Sequence, residues 1–291
     1  MKLSVVLATK NEEANIARCL ESVESIADEI IIIDEESTDK TREIAERFGA
    51  KVYTTKHNPI FHKTKQMAID KAKGEWILQM DADEAVTRDL AKEIRQVITS
   101  KNSELIKRTT NHPEFDNLKN AGLFKRHQKL IEKRDGRLGD RTGEVVAFFI
   151  PRKNMFLGKA LIYSGSYPDA VIRLIKRGKA YLPAKSVHEQ MVIKGEVAWL
   201  TNALEHHDSP TLSRYLMRMN RYTDLNVEEF KQALLPKNLL YLVIYTTYKP
   251  AVYFTKLYLR HKGIKDGMRG FLWSLLSALH FPLAYYKYYT S

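Results

Sequence analysis

The sequence predicts an α/β fold, a Rossmann-like, mostly parallel sheet flanked by helices, with a C-terminal helical extension. Two observations predict the sheet: strand and helix patterns alternate through the first hundred residues, and the strand patterns are short, unbroken apolar runs. Alternating segments of this kind give parallel sheets, and unbroken apolar runs are typical of strands covered on both faces. A third observation predicts the extension: residues 236–291 are basic and rich in Tyr, Leu and Phe.

The sheet and its helices follow one another in a regular order. We predict strands at residues 3–8, 29–34, 51–55, 76–80, 145–150 and 171–175, and helices at residues 11–25, 38–48, 62–73 and 88–100. Ser37 or Thr38 is expected to cap the second helix, and Thr87 the fourth, because short hydroxyl side chains accept from the first free backbone amides. After Glu196 the pattern is mostly helical.

Two domains are expected, with a boundary after residue 235. The larger one, residues 1–235, contains a polar, basic segment at residues 101–143 in which periodicity is lost. Such a segment indicates an insertion, either a mobile loop or a lid with short helices. Residues 236–291 form a basic, amphipathic helical tail, which Pro236, Pro250 and Pro282 are expected to divide.

Composition limits the class of protein. A chain of 291 residues with 44% hydrophobic and 28% charged residues can bury a full core. Cys19 is the single cysteine, so no internal disulfide forms, and we predict a small buried residue in a reducing compartment. The start of the chain does not resemble a secretory signal, and no apolar run reaches the roughly 20 residues that span a membrane. We therefore expect a cytoplasmic protein.

The charge of the tail indicates a partner. Residues 236–291 carry eight Lys and Arg against the single acid Asp266, a net charge of +7. Basic, aromatic and apolar segments bind anionic membrane surfaces, and nucleic acid is the competing interpretation. We favour the membrane, at its inner face, and expect no nucleic acid, because the apolar content is high. Helices at residues 239–248 and 271–286 would lie in the leaflet; the alternative is that they pack on the larger domain or on a second subunit.

Carboxylates follow two of the predicted strands. Asp81 and Asp83 come directly after the strand at residues 76–80, and Asp34 ends the strand at residues 29–34. Ligands bind beyond the carboxyl ends of such strands, so these side chains should face one cleft. Carboxylate oxygens are the ligands that Mg²⁺ and Mn²⁺ prefer, and Glu84 is expected to support them. The sequence therefore predicts a divalent-cation site at Asp81 and Asp83.

A pair of histidines is a further candidate for this site. His207, or His206 beside it, could complete the metal shell, since imidazole binds Mn²⁺-like ions. We select His207 as the ligand. The alternative is that these histidines cap backbone carbonyls at a helix end.

Three segments resemble glycosyltransferase family 2: residues 4–13, 33–41 and 74–84. Within that family the chain is similar to bacterial lipopolysaccharide core β-glucosyltransferases, through Tyr167–Asp169, Val187–Glu189 and residues 263–267. The resemblance covers nearly the whole chain except residues 101–143. It implies a GT-A (Rossmann-like) fold and a metal-dependent, inverting reaction. The reaction would transfer a sugar from a nucleoside diphosphate, by expectation UDP, to a hydroxyl of a lipid-linked glycan or lipopolysaccharide core.

The resemblance also implies roles for individual residues. Thr9 and Glu12 would border the base and ribose, Asp34 would accept hydrogen bonds from uracil or sugar, and Lys65 would lie near the nucleotide-sugar. Asp81 would contact the substrate as well as the metal. The alternatives are a turn residue for Asp34 and a solvated helix lysine for Lys65.

Glu189 is the predicted general base. An inverting transfer needs a carboxylate opposite the leaving group to accept the proton of the attacking hydroxyl, and family members carry an acid at this position. A surface glutamate without a role is the alternative. For the whole protein, a sugar-nucleotide pyrophosphorylase and a non-catalytic membrane-binding module remain the other hypotheses; the first is disfavoured because residues 8–13 contain no glycine.

Overall fold

The computed structural model describes residues 1–183 and 190–291, which form two compact units. Unit 1 consists of Met1–Arg152 and Pro168–His206, and unit 2 of Lys153–Tyr167 and His207–Ser291. The chain therefore passes between the units three times. The functional boundary that we place after residue 235 stays a prediction.

Unit 1 is built on a seven-stranded, mostly parallel sheet. Its strand order is β12-β6-β9-β4-β1-β2-β3. The strands are β1 (Leu3–Thr9), β2 (Glu29–Asp34), β3 (Lys51–Thr54), β4 (Trp76–Met80), β6 (Val145–Ile150), β9 (Val171–Lys176) and β12 (Glu196–Trp199). Only β9 runs antiparallel to both of its neighbours, β4 and β6. The predicted α/β class is confirmed.

Helices cover both faces of this sheet, because its central strands are apolar on both sides. In unit 1 they are α1 (Ile16–Val23), α2 (Thr41–Arg47), α3 (Phe61–Lys71), α4 (Arg88–Val97), α5 (Asn102–Leu105) and α6 (Ala121–Asp135). Side chains of β1, β2 and β4 divide between two buried clusters, one on each face of the sheet. Cys19 of α1 lies in the first cluster, fully buried as predicted.

One prediction about these elements is wrong. Neither Ser37 nor Thr38 caps α2, which begins at Thr41 without a side-chain cap; the Ser37 hydroxyl is instead bound to Asp34. After Glu196 the chain is mostly helical, as predicted, but two strands come first: β12 pairs with β6, and β13 (Leu204–Ser209) pairs with β5 (Glu84–Val86). Thr87 does cap α4, since its hydroxyl accepts from the Leu90 amide.

Residues 101–143 fold as helices, one of the two forms that we considered. Besides α5 and α6, two 3₁₀ turns lie at Ile106–Arg108 and Pro113–Asn117. The segment is anchored in the core: Phe124 stacks on Trp199 with ring centroids 4.5 Å apart, and both rings are fully buried. Whether this segment acts as a lid stays a prediction.

Unit 2 is mainly helical. After the hairpin of β7 (Arg152–Phe156) and β8 (Lys159–Ala160), the helices are α7 (Leu212–Gln232), α8 (Leu239–Val243), α9 (Lys249–Thr255) and α10 (Gly267–Thr290). Two π-helical turns, Ile244–Tyr248 and Lys256–Arg260, follow α8 and α9. The short strands β10 (Ala180–Tyr181) and β11 (Val192–Ile193), which pair with each other, complete unit 1.

Pro282 does not divide the tail, contrary to our prediction, because α10 continues through it. Hydrogen bonds made by residues after Pro282 stabilise the last turns of α10. The Tyr285 and Tyr288 hydroxyls donate to the carbonyls of Pro236 and Leu235 at 2.8 and 2.6 Å. Among the described residues, no helix combines the length and apolarity needed to cross a membrane.

Candidate active site

Thr9 and Asp34 end neighbouring strands of unit 1 and stand in register. The Thr9 hydroxyl donates to the Asp34 carboxylate at 3.0 Å, and the Ser37 amide and hydroxyl donate to it at 2.9 and 2.5 Å. The Asp34 side chain is fully buried, so it holds the loop between β2 and α2 in shape. A direct contact between Asp34 and a nucleotide stays a prediction.

Glu12 lies in the turn between β1 and α1, close to the same loop. Its amide donates to the Thr41 hydroxyl at 2.7 Å, and its carboxylate accepts from Asn15 at 2.9 Å. The buried Glu35, which the sequence did not single out, accepts from the Thr64 hydroxyl and pairs with His57 at 2.5 Å. Thr9, Glu12 and Asp34 thus lie at one edge of the sheet, and the roles that the resemblance implies for them stay predictions.

Asp81 is the centre of an ion cluster. Lys65 of α3 contacts one of its carboxylate oxygens at 2.5 Å, and Arg173 of β9 donates to the other. The Asp81 amide donates to Glu84 at 2.9 Å. Lys65 is itself buried, so the interpretation as a solvated helix lysine is excluded.

Arg173 connects three side chains of the cluster. It donates to Asp81, to Gln79, and to the fully buried Glu84 at 2.7 Å. Arg152 adds a third cation beside Lys65 and Arg173, with contacts of 3.4 Å to Glu84 and 2.8 Å to Asp169. Glu84 therefore has the supporting role that we expected.

Electrostatics keeps this cluster ionised. Burial alone would raise the pKa of Asp81, but the Arg173 guanidinium and the Lys65 ammonium hold it well below its usual range. Burial likewise opposes the charge of Arg173, yet Asp81 and Glu84 raise its pKa. Burial and the nearby Glu84, Asp83 and Asp81 carboxylates raise the pKa of the Cys19 thiol well above its usual value. Cys19 is therefore unsuited to be a nucleophile.

Asp83 faces His206 instead of the Asp81 cluster. His206 Nε2 lies 3.5 Å from an Asp83 carboxylate oxygen, and both side chains remain partly exposed. Burial opposes both charges, but the contact between the two groups lowers the pKa of Asp83 and raises the pKa of His206. Successive side chains of a strand point to opposite faces, so β13 presents His206, rather than the selected His207, to Asp83. His207 as a ligand stays a prediction.

The residues present fit a divalent cation that is held in part by its substrate. One carboxylate and one imidazole, Asp83 and His206, could hold it together. In the part of the chain that the structure describes, no group of three or more His, Cys, Asp or Glu side chains is arranged for a metal. Mg²⁺ commonly keeps one or two protein ligands and takes phosphate oxygens for the rest.

A basic cavity of about 670 Å³ adjoins the Asp81 cluster within unit 1. Four cationic side chains, Lys65, Arg134, Arg152 and Arg173, line it together with the single carboxylate Asp135. Gln79, whose side chain accepts a hydrogen bond from Arg173, and Phe61 of α3 also line the cavity. A cavity of this size and charge suits a small anionic ligand such as a diphosphate.

Glu189 lies outside the described residues, and its role as general base stays a prediction. The described residues on either side of that gap do reach the basic cavity. Leu182 before it and Gln190 after it both line the cavity wall. Leu182 also donates its amide to Gln66 of α3 at 2.7 Å.

Sequence reasoning missed Arg173 and Arg152 as parts of the site. One signal was available for Arg173, because an arginine inside the otherwise apolar strand β9 must find a buried partner. Arg152 carries a weaker signal, since it follows Pro151 at the start of a half-exposed strand. Neither side chain could be assigned to Asp81 or Glu84 without the sheet order.

The geometry defines an α/β protein with an ionic, phosphate-sized site at the carboxyl edge of a parallel sheet. Comparison with known proteins gives the family. The model for glycosyl transferase family 2 matches residues 4–159, more than half of the chain, and the chain belongs to this family.

Individual relatives are similar over different shares of the chain. An uncharacterized glycosyltransferase of Rickettsia bellii is 45% identical over 103 residues, which are 35% of this chain and 35% of that protein. The lipopolysaccharide core biosynthesis glycosyltransferase LpsC of Rhizobium meliloti is 23% identical over an alignment that covers 99% of this chain and 92% of LpsC. The crystal structure of residues 1–349 of Staphylococcus aureus TarS is 15% identical, with a TM-score of 0.42 over 100% of this chain and 91% of that one.

Proposed function

We propose that this protein transfers a sugar from a nucleoside diphosphate, UDP by preference, to a hydroxyl of a lipid-linked glycan or lipopolysaccharide-core acceptor. The observation that carries the proposal is the basic cavity beside Asp81, because its cations offer the charge that a leaving diphosphate needs. Family membership favours a transferase over a pyrophosphorylase or a non-catalytic module. Similarity to LpsC over nearly the whole chain supports the choice of acceptor.

Each group in the site has a role in this proposal. Lys65 and Arg173, which neutralise Asp81 at present, lie where they can also contact donor phosphates. Asp83 and Asp81, with His206 or His207, would hold Mn²⁺ or Mg²⁺, which would supply charge to stabilise the leaving diphosphate. Glu189 would accept the proton of the acceptor hydroxyl as that hydroxyl attacks from the face opposite the leaving diphosphate, and this direct displacement inverts the sugar carbon. Thr9, Glu12 and Asp34 would border the base and ribose.

The proposed location is the inner face of the membrane, with unit 2 in contact with anionic lipid. Most of the large apolar side chains that are exposed among the described residues lie in unit 2, including Leu239, Tyr248 and Met268. Added to the net charge of +7 at residues 236–291, they suit an interfacial surface. A full chain that fails to float with anionic vesicles at low salt would contradict this location.

Thermal stabilisation by UDP, with and without Mn²⁺, tests the donor site. A ligand present at 100 times its Kd stabilises a protein by about 2.7 kcal/mol. We expect Asp83→Asn to lose the Mn²⁺-dependent part of this shift, and Glu189→Gln to keep it while turnover falls about 10²–10⁴-fold. Asp116→Asn is the matched control, since Asp116 is exposed and pairs with Lys125 on the surface. If Asp83→Asn binds UDP and Mn²⁺ as the unmodified chain does, the proposed metal site is wrong.

A further inference from the structure

Unit 2 contains its own cavity, of about 330 Å³, which the proposed transfer reaction does not use. Its residues on α7, positions 215, 218, 219 and 222, recur at steps of three and four and therefore share one helix face. Its residues on α10, positions 273, 277, 280 and 281, share a face in the same way. The cavity thus lies between two long helices of one unit.

Aromatic rings form most of the cavity wall. Tyr215, Tyr222, Tyr253, Trp273 and Phe281 all line it. The rings are packed edge to face: the Tyr215 and Trp273 centroids lie 5.7 Å apart, and those of Tyr253 and Phe281 lie 5.2 Å apart. Beneath them the fully buried Phe156 contacts both Tyr215 and Trp273 at 5.4 Å. Such interlocked rings give the cavity a defined, largely apolar shape.

The polar groups at the cavity are already engaged inside unit 2. Arg218 pairs with Asp208 and donates to the Ser209 hydroxyl at 3.3 Å. Tyr215 is hydrogen-bonded to Ser277 on the facing helix.

His280 Nε2 lies 2.5 Å from Asn226 Oδ1, so this polar group of the wall already has a hydrogen-bond partner. A sugar carries several hydroxyls, and each one that enters without a partner costs about 1–3 kcal/mol. A hydrocarbon chain has no such requirement. The wall therefore suits a hydrocarbon better than a carbohydrate.

Exposed apolar side chains continue from the cavity along the same helices. Tyr222 lines the cavity and is 49% exposed, so its ring reaches the surface. Met217 and Leu225 of α7 and Leu279 of α10 are also exposed. An apolar surface that leads into an aromatic cavity is the arrangement expected where an alkyl chain leaves a lipid layer and enters a protein.

We infer that this cavity binds a single alkyl chain of a lipid. Its occupant is the hydrocarbon part, and the head group stays outside, beside the exposed residues of α7 and α10. The inference goes beyond the proposed transfer of a sugar and does not depend on it. Its test needs neither nucleotide nor turnover, so either proposal can fail while the other holds.

Tryptophan fluorescence offers a direct test, because the chain has three tryptophans and only Trp273 lines this cavity. Trp76 and Trp199 are buried in unit 1, at 3% and 0% exposure. A fatty acid brominated on its chain, used below its micelle concentration with the full chain, quenches tryptophans that it touches. We expect loss of the Trp273 emission, and no quenching in Trp273→Phe. Absence of quenching in the unmodified, folded chain would overturn the inference.

Variants on α10 locate the bound chain. Ser277→Leu fills the cavity and should weaken binding, as read from the quenching titration, about tenfold or more, because the added side chain occupies the space of the alkyl chain. Tyr286→Ala, on the same helix but exposed and away from the lining, should leave quenching unchanged. Met219→Phe replaces Ser277→Leu if the latter does not fold by circular dichroism.

Competition separates the possible ligands. An unbrominated fatty acid should restore the fluorescence, whereas methyl glucoside should not. Equal quenching in the cavity-filling variant, displacement by methyl glucoside, or quenching only above the micelle concentration would each overturn the inference.

Discussion

Arg173 in the basic cavity and Arg218 in the aromatic cavity have different hydrogen-bond partners and exposure. This difference indicates which ligand each cavity can accept. In unit 1, Arg173 contacts Asp81, Glu84 and Gln79, and its side chain is only 8% exposed. In unit 2, Arg218 has one carboxylate partner, Asp208, and its side chain is 35% exposed. Arg173 is therefore part of an ionic framework with further cations beside it, whereas Arg218 is a neutralised group at the edge of an aromatic wall.

Charge balance separates the two cavities further. Among the described residues, the wall of the basic cavity has four cations and one carboxylate; three of these cations also pair with Asp81, Glu84 or Asp169, which do not line the cavity. An incoming anion therefore meets a wall that carries more positive than negative charge. The aromatic cavity has its arginine and its aspartate paired with each other. An anion gains little there, while an apolar chain loses contact with water. The arginines of the basic cavity thus favour an anionic ligand, whereas the arginine of the aromatic cavity does not.

The largest expected effect of a single change is that of Arg173→Met. It removes a partner of the fully buried Glu84 and of the partly exposed Asp81, and breaking a buried ion pair in this way costs about 3–5 kcal/mol. Urea unfolding should reveal this loss, followed by fluorescence in a Trp273→Phe background, in which only the tryptophans of unit 1 report.

Arg134→Met is the matched control in the same cavity wall. Arg134 is exposed and pairs with Asp135 on the surface, so the change should cost less than about 1 kcal/mol. A loss of similar size in the two variants would show that Asp81 and Glu84 do not depend on Arg173.

These arginines also mark the limit of what the sequence could predict. The strands at residues 29–34, 76–80 and 145–150 were predicted with their observed bounds, because apolar runs between turn residues are strong local signals. The position of Asp34 at the carboxyl end of its strand followed from the same local signal. The contact of Arg173 with Asp81 did not follow, because β9 enters the sheet antiparallel beside β4, and only long-range pairing decides that.

The error at Pro282 and the two strands that we did not predict after residue 195 have a similar physical origin. Pro282 was expected to end a helix on local grounds, but the buried tyrosines beyond it hold α10 together. The strands β12 and β13 are short, and the partners that stabilise them are distant in sequence. The alternation of side chains along β13 places His206, rather than His207, beside Asp83, and the sequence alone does not show which of the two faces it. Local patterns predict elements well, and tertiary contacts decide where an element continues.

An intermediate effect is expected for Arg218→Met. Because this arginine is one-third exposed and has a single carboxylate partner, its loss should cost only about 1 kcal/mol, seen in the helical circular dichroism during urea unfolding. Binding of the brominated fatty acid should be retained, since methionine adds apolar surface to the wall. If binding is lost, the cavity recognises an anionic group through Arg218, and the difference between the two cavities is smaller than we describe.

The smallest expected effect concerns pH and His280 at the aromatic cavity. Burial, followed by the charge of Lys287, lowers the pKa of His280 in the folded protein. Once unfolded, the histidine takes up a proton below about pH 6.5, while the folded protein keeps it neutral for longer. Its contribution to stability is therefore fully present above about pH 6.5 and is lost as the pH falls from that value toward the lower folded pKa.

His280→Gln should flatten this decline, because an amide can still contact Asn226 without titrating. Unit 1 contains His127, whose pKa burial also lowers, so a fall in the stability of both units below about pH 6.5 is expected and the variant provides the comparison. Thermal melts between pH 5 and 7 should show a flatter decline of the Trp273 signal of unit 2 in His280→Gln, with the signal of Trp76 and Trp199 unchanged by the substitution. An unchanged slope of the Trp273 signal in His280→Gln would show that the neutral histidine does not contribute to the pH dependence of unit 2.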